Sequence, residues 1–138
     1  MRTSAKETGS LTVIPNNLAL INKSLEGVDA SYFVSLQKHS GLRKDELAGF
    51  VGIDPKTVDN YRNSKKKFIK DAAEKILHLH RLFALGDELF GSTTEFTDWL
   101  DIPSPGLENK RPIDLLHSIS GIAEVEKQLM RIAHGYAA

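Results

Sequence analysis

Apolar residues recur at steps of three and four along most of this 138-residue chain, as they do in helices that bury one face. The clearest series is Ile122, Val125, Leu129, Ile132 and Ala133. Gly121 punctuates its start, and Gly135 stands where a helix ends in a left-handed residue. A longer helix is predicted from Asp71, with Ala72, Ile76, Leu79, Leu82 and Phe83 on one side and Leu85, Leu89 and Phe90 extending it to Gly91. Before it, Pro15 can open a short helix carrying Leu18, Leu20, Ile21 and Leu25, broken at Gly27. Asp29 or Ser31 can cap a helix through Phe33, Val34 and Leu36 that ends at Ser40 and Gly41. After Gly91, Ser92 and Glu95 form a capping box ahead of Phe96, Trp99 and Leu100. Two prolines and a glycine then break the chain over residues 101–106, Leu107 pins the loop, and Pro112 opens a short helix. Residues 118–121 lead into the closing helix. The fold class expected is all-α: a mobile tail over residues 1–12, a helix-turn-helix bundle over 13–69, and a small helical domain within 70–138 that a longer helix joins to it.

Residues 44–63 carry the first specific motif. Leu47, Ala48 and Val51 form one face of a short helix, Gly52 supplies the turn, and Ile53 fills the angle. Asp54 caps a second helix with Pro55 at its first position, and Val58 and Tyr61 face back inward. The pattern resembles the Cro/cI (Xre-type) helix-turn-helix. If it reads DNA, the second helix enters the major groove and presents Lys56, Thr57, Asn60 and Asn63. Asn60 suits adenine and Lys56 guanine, while Asp59 on the same helix accepts only from cytosine and otherwise repels phosphate. Arg62, Lys65, Lys66 and Lys67 follow, with Lys70 beyond, placed for phosphates. The competing reading is a structural helical hairpin with a solvated charge run.

Composition narrows the rest. Net charge is zero, which excludes a globally basic nucleic-acid binder, but nine cations face five acids between residues 29 and 70. Between residues 87 and 110, six acids face Lys110 alone. Two surfaces with different partners are expected. The sequence has no cysteine, so disulfide and thiolate chemistry are excluded. No run reaches the roughly 18 apolar residues of a membrane span, and residues 1–10 do not read as a secretory signal. A cytoplasmic location is expected. His78 and His80 are two apart and diverge by about 200° on a helix, so they do not share a metal. With no phosphate loop and no ordered Ser/His/Asp set, no catalytic residue, cofactor or metal is expected.

Phe90, Gly91, Trp99, Leu100, Pro103, Leu107, Pro112, Leu115, Leu116, Gly121, Val125, Leu129, Ile132 and Gly135, in that order, resemble the MbcA/ParS/Xre antitoxin C-terminal domain. The resemblance covers residues 85–136, and the upstream helix-turn-helix agrees with that family's two-part layout. There is a departure: the family usually has Gly-Gly after the leucine matching Leu107, and here Glu108 and Asn109 stand there, Asn109 being tolerant of the left-handed conformation. Ser118 stands where a threonine is common.

The resemblance implies an antitoxin that blocks a RES-domain toxin, a NAD-consuming or ADP-ribosyl-transferring enzyme, through its C-terminal domain. It also implies repression of its own operon through the N-terminal one. Trp99, Leu115, Leu116, Leu129 and Ile132 read as core. The expected toxin contacts are Lys127, Arg131, His134, Gly135, Tyr136, Ala137 and Ala138, with Tyr136 filling apolar space and the Ala138 carboxylate standing in for a phosphate in a NAD pocket. A homodimer paired on operator half-sites is expected, as is a hetero-oligomer with the toxin; residues 18–25 and 76–85 are the candidate dimer surfaces. Two other readings stand beside this one: a free-standing dimeric Xre-type repressor, and a neutralising antitoxin that has lost DNA binding.

Overall fold

The computed structural model describes residues 10–135, and the fold there is all-α. Seven α-helices follow one another among the described residues: α1 Asn17–Glu26, α2 Ala30–Ser40, α3 Lys44–Val51, α4 Pro55–Ser64, α5 Lys70–Phe90, α6 Thr93–Leu100 and α7 Ile119–Ala133. Two 3₁₀ turns, Pro105–Leu107 and Pro112–Leu115, lie between α6 and α7. None of these helices is long and apolar enough to cross a membrane. The chain separates into two compact units, one up to Arg81 and one from Leu82, so the change falls within α5.

Caps account for most of the boundaries. Asp29 accepts from the Ser31 amide at 2.9 Å to start α2, and Gly41 ends it in the left-handed region. Asp54 caps α4 through the Lys56 amide at 2.8 Å, with Pro55 in the first turn. Ser92 caps α6 through the Glu95 amide at 3.1 Å. Two starts differ from expectation. Asn16 caps α1 through the Ala19 amide, so Pro15 precedes the helix instead of opening it. Ser118 caps α7 through the Gly121 amide, placing Gly121 inside the first turn.

In the first unit Phe33, Leu36, Leu47, Ala48, Phe50, Val51, Val58, Phe68, Ile76, Leu77 and Leu79 are buried. Burial of Ile76, Leu79, Leu82 and Phe83 removes residues 76–85 as a free apolar face. The inward side of α5 also holds Ala73, where Ala72 was expected, and His80.

His80 ties three segments together. The Thr12 amide donates to Nδ1 at 3.0 Å, so the ring proton sits on Nε2, which donates to the Tyr32 carbonyl at 2.8 Å. Burial is the main reason its pKa lies below the ordinary value; the Tyr32 carbonyl opposes this and the nearby His39 adds to it. His78 is lowered as well, by burial and by Arg81. A folded pKa below the unfolded one means stability is complete above the unfolded value and falls as pH drops through the folded one. The denaturant midpoint of the wild-type chain is therefore expected to decrease between pH 7.5 and 5. His80→Gln should start less stable and lose less over that interval, as urea titrations at fixed pH would record.

The second unit packs Phe96 against Phe83, with ring centroids 5.1 Å apart and the planes at 81°, and beside Phe90 and Trp99. A β-carbon at Gly86 would run into the Phe96 ring, so the glycine there serves close packing. Leu100, Leu107, Leu116, Ile122, Val125 and Leu129 complete the core, while Trp99, Leu115 and Ile132 are half-buried.

Candidate functional site

The helix-turn-helix of the first unit is α3, Gly52 and α4. Gly52 is left-handed, and the amides of Gly52 and Ile53 both reach the Ala48 carbonyl, at 2.8 and 3.0 Å, which closes the turn tightly. Val58 is buried and α4 packs on both α2 and α3, so the opposite side of α4 is free. Lys56, Asn60 and Asn63 are exposed on that side, with Thr57 half-buried beside them. The structure thus brings the four expected base-reading residues onto one helix.

The cations beyond α4 are held in a shaped segment. Lys65 takes the left-handed conformation, the Lys66 amide bonds the Tyr61 carbonyl at 3.0 Å, and the Lys66 ammonium lies 5.1 Å from the centre of the Tyr61 ring. Phe68 stacks on Tyr61 at 4.7 Å and pairs with Val28 in an isolated antiparallel bridge. Gly27 is needed here, because a β-carbon would press on the Phe68 carbonyl and the Lys67 side chain in a backbone region that side chains disfavour. Arg62, Lys65, Lys66 and Lys67 are all exposed, and none has a carboxylate partner among the described residues. Asp59 does have one: it pairs with Lys44 of α3 at 2.7 Å. Fifteen residues separate the two, so helical spacing within α4 does not reveal the pair.

In the second unit Lys127, Arg131 and His134 line a shallow groove on the outer side of α7 together with Met130. Lys127 is paired with Glu124 at 2.9 Å, and His134 Nδ1 lies 2.6 Å from the Met130 carbonyl. Gly135 is left-handed, turning the chain off the helix. Tyr136, Ala137 and Ala138 lie outside the described residues.

Gln128 is the residue that sequence reasoning missed. It is fully buried, its carbonyl oxygen accepts from the Arg131 guanidinium at 2.7 Å, and its amide covers Gly106, where a β-carbon would collide with it. Gln128 therefore connects the first 3₁₀ turn to an exposed cation of the groove. Its position between Val125 and Leu129 on the core side was the only hint available. In the loop below it Glu108 and Asn109 are both left-handed, a conformation that glycines adopt without steric cost. The Ser104–Lys110 bridge closes that loop, and the Asn109 amide bonds Ser104 at 2.9 Å.

Comparison with known proteins gives a consistent picture. Residues 19–81 match the antitoxin Xre-like helix-turn-helix domain, and residues 85–135 match the antitoxin Xre/MbcA/ParS C-terminal toxin-binding domain. The chain is similar to Antitoxin Xre of Photorhabdus laumondii, 26% identical over 122 residues that make up 88% of this chain and 80% of that one. It is similar also to Antitoxin Xre of Yersinia enterocolitica, 24% over 117 residues, 84% and 79% of the two chains. Antitoxin Xre of Pseudomonas putida is 22% identical over 111 residues, 80% and 69%.

Proposed function

Since the chain belongs to the Xre/MbcA/ParS antitoxins through both of its domains, we propose that it neutralises a RES-domain toxin and represses its own operon. The toxin would be a NAD-consuming or ADP-ribosylating enzyme of the cytoplasm, and the chain acts on it by binding, without catalysis of its own. The observation that carries the toxin side is the outer face of α7. Lys127, Arg131 and His134 gather in one groove on α7, close in sequence to left-handed Gly135 and to the residues 136–138 expected to contact the toxin. Lys127 and Arg131 there suit an acidic patch on the toxin, while the Ala138 carboxylate would take the place of a dinucleotide phosphate.

The DNA side is supported by the exposed row Lys56, Asn60 and Asn63, backed by Arg62, Lys65, Lys66 and Lys67. Asp59, the residue that argued against it, is charge-paired with Lys44, which removes most of its repulsion of phosphate. Pairing of two reading helices on half-sites calls for a second copy. Leu18 and Leu25 are 70% and 78% exposed, and with Ile21 and Ile69 they form an apolar surface that suits this role. Sedimentation at micromolar concentration should then return twice the chain mass, and a monomer throughout would remove that surface.

The neutralisation test uses the toxin from the neighbouring reading frame and follows NAD loss at equimolar antitoxin. The full chain should suppress the reaction, and a chain lacking residues 136–138 should leave most of it running. Full inhibition by the shortened chain would move the contact elsewhere on the domain, and no inhibition by the full chain would refute the neutralising role.

A further inference from the structure

Asp59 stands in the middle of the outward face of α4. Lys56, Asp59, Asn60 and Asn63 follow each other by three, one and three residues, so they share one side of the helix. All four are exposed. The Lys44 ammonium, at the first position of α3, donates to Oδ1 of Asp59. Oδ2 has no hydrogen-bond partner among the described residues.

A bare carboxylate at this place would oppose every phosphate it approached and weaken binding to all sequences alike. A carboxylate paired with an ammonium carries little net charge, yet its second oxygen still accepts. In the major groove, guanine offers acceptors at N7 and O6 and thymine one at O4, so both reject it; adenine sets an acceptor beside its donor; cytosine offers the N4 amine. We propose that Asp59 is a base-reading residue, held in place and neutralised by Lys44, that selects cytosine at one position of the operator half-site. The inference rests on the DNA-binding reading above and adds a specificity determinant to it.

The experiment selects duplexes from a random pool with the wild-type chain. It then measures binding of wild-type, Asp59→Ala and Asp59→Asn to the selected duplex and to its single base-pair variants. Wild type should lose about 5- to 150-fold when one particular cytosine is replaced. Asp59→Ala should accept all four bases there within about twofold while keeping its discrimination elsewhere. Asp59→Asn should move the preference at that position toward adenine, which pairs with an amide. Lys44→Ala, which exposes the carboxylate's charge, should bind every duplex more weakly and still prefer cytosine. An Asp59→Ala chain that binds every duplex more tightly with its base preferences unchanged would overturn the assignment and leave operator binding intact. A wild-type chain that enriches no sequence would overturn the DNA-binding reading and this inference with it.

Discussion

Replacing Lys56 and Asn60 together by alanine is expected to cut specific operator binding steeply while the fold stays as it is. Both side chains are exposed, one turn apart on α4, and they point away from Val58, which anchors the helix from inside. The cap at Asp54 and the proline at its first position keep the helix start whether or not these two side chains are present. One good side-chain pairing with a base edge is worth about 1–3 kcal/mol of discrimination, so the double variant should lose about 2–6 kcal/mol on the operator. Specific binding exceeds non-specific binding by about 4–10 kcal/mol, so a loss of this size removes a large share of the preference. Arg62, Lys65, Lys66 and Lys67 remain, and with them the weak, salt-sensitive attraction to any duplex. Anisotropy titrations on operator and scrambled DNA at several salt concentrations separate the two contributions. The operator curve should move toward the scrambled one with its salt slope little changed. Equal losses on both duplexes, with a shallower slope, would reassign Lys56 and Asn60 to the phosphates.

The second large effect is expected from the smallest substitution. Gly121 lies in the first turn of α7, and alanine in a helix is ordinarily favoured over glycine by about 1 kcal/mol. The Leu115 carbonyl, however, occupies the space a β-carbon needs at Gly121, with its carbon only 2.9 Å from that position. The obstacle is backbone, which cannot rotate away. Overpacking against a fixed neighbour costs about 1–3 kcal/mol and at times more, enough to reverse the sign of the helix preference. Gly121→Ala should therefore destabilise the second unit and reduce toxin neutralisation, with operator affinity kept. Trp99 is the only tryptophan of the chain and lies in the second unit, so its fluorescence during denaturation reports the unit affected. A stabilised variant would mean that the 3₁₀ turn yields readily and that glycine is not required there.

The helices were legible in the sequence because their signals are local. Asp29, Asp54 and Ser92 announce their helices by bonding amides two or three residues on, and Gly41, Gly52, Gly91 and Gly135 all take positive φ where a helix stops. The apolar steps of α7 correctly separated Ile122, Val125 and Leu129 from the outer face. The start of that helix is set by Ser118 and not by Gly121, whose lack of a side chain answers to Leu115, a packing partner that spacing does not reveal. The same holds for His80, whose ring meets Thr12 and Tyr32, 68 and 48 residues away. Asp59 counts against DNA only when Lys44 is left out of account, and the polarity of Gln128 gives no sign that it is buried. Polar groups of this kind depend on what the fold brings alongside them, and composition alone does not distinguish a paired charge from a bare one.

Glu108 and Asn109 hold φ values of 58° and 63°, a conformation that costs a side-chain-bearing residue about 1–2 kcal/mol. Buried Leu107 on one side and the Ser104–Lys110 bridge on the other enforce it, so the closure of the loop sets its course and glycine is dispensable. A search keyed to paired glycines would pass over such a chain, whereas one keyed to two successive left-handed dihedrals would retrieve it.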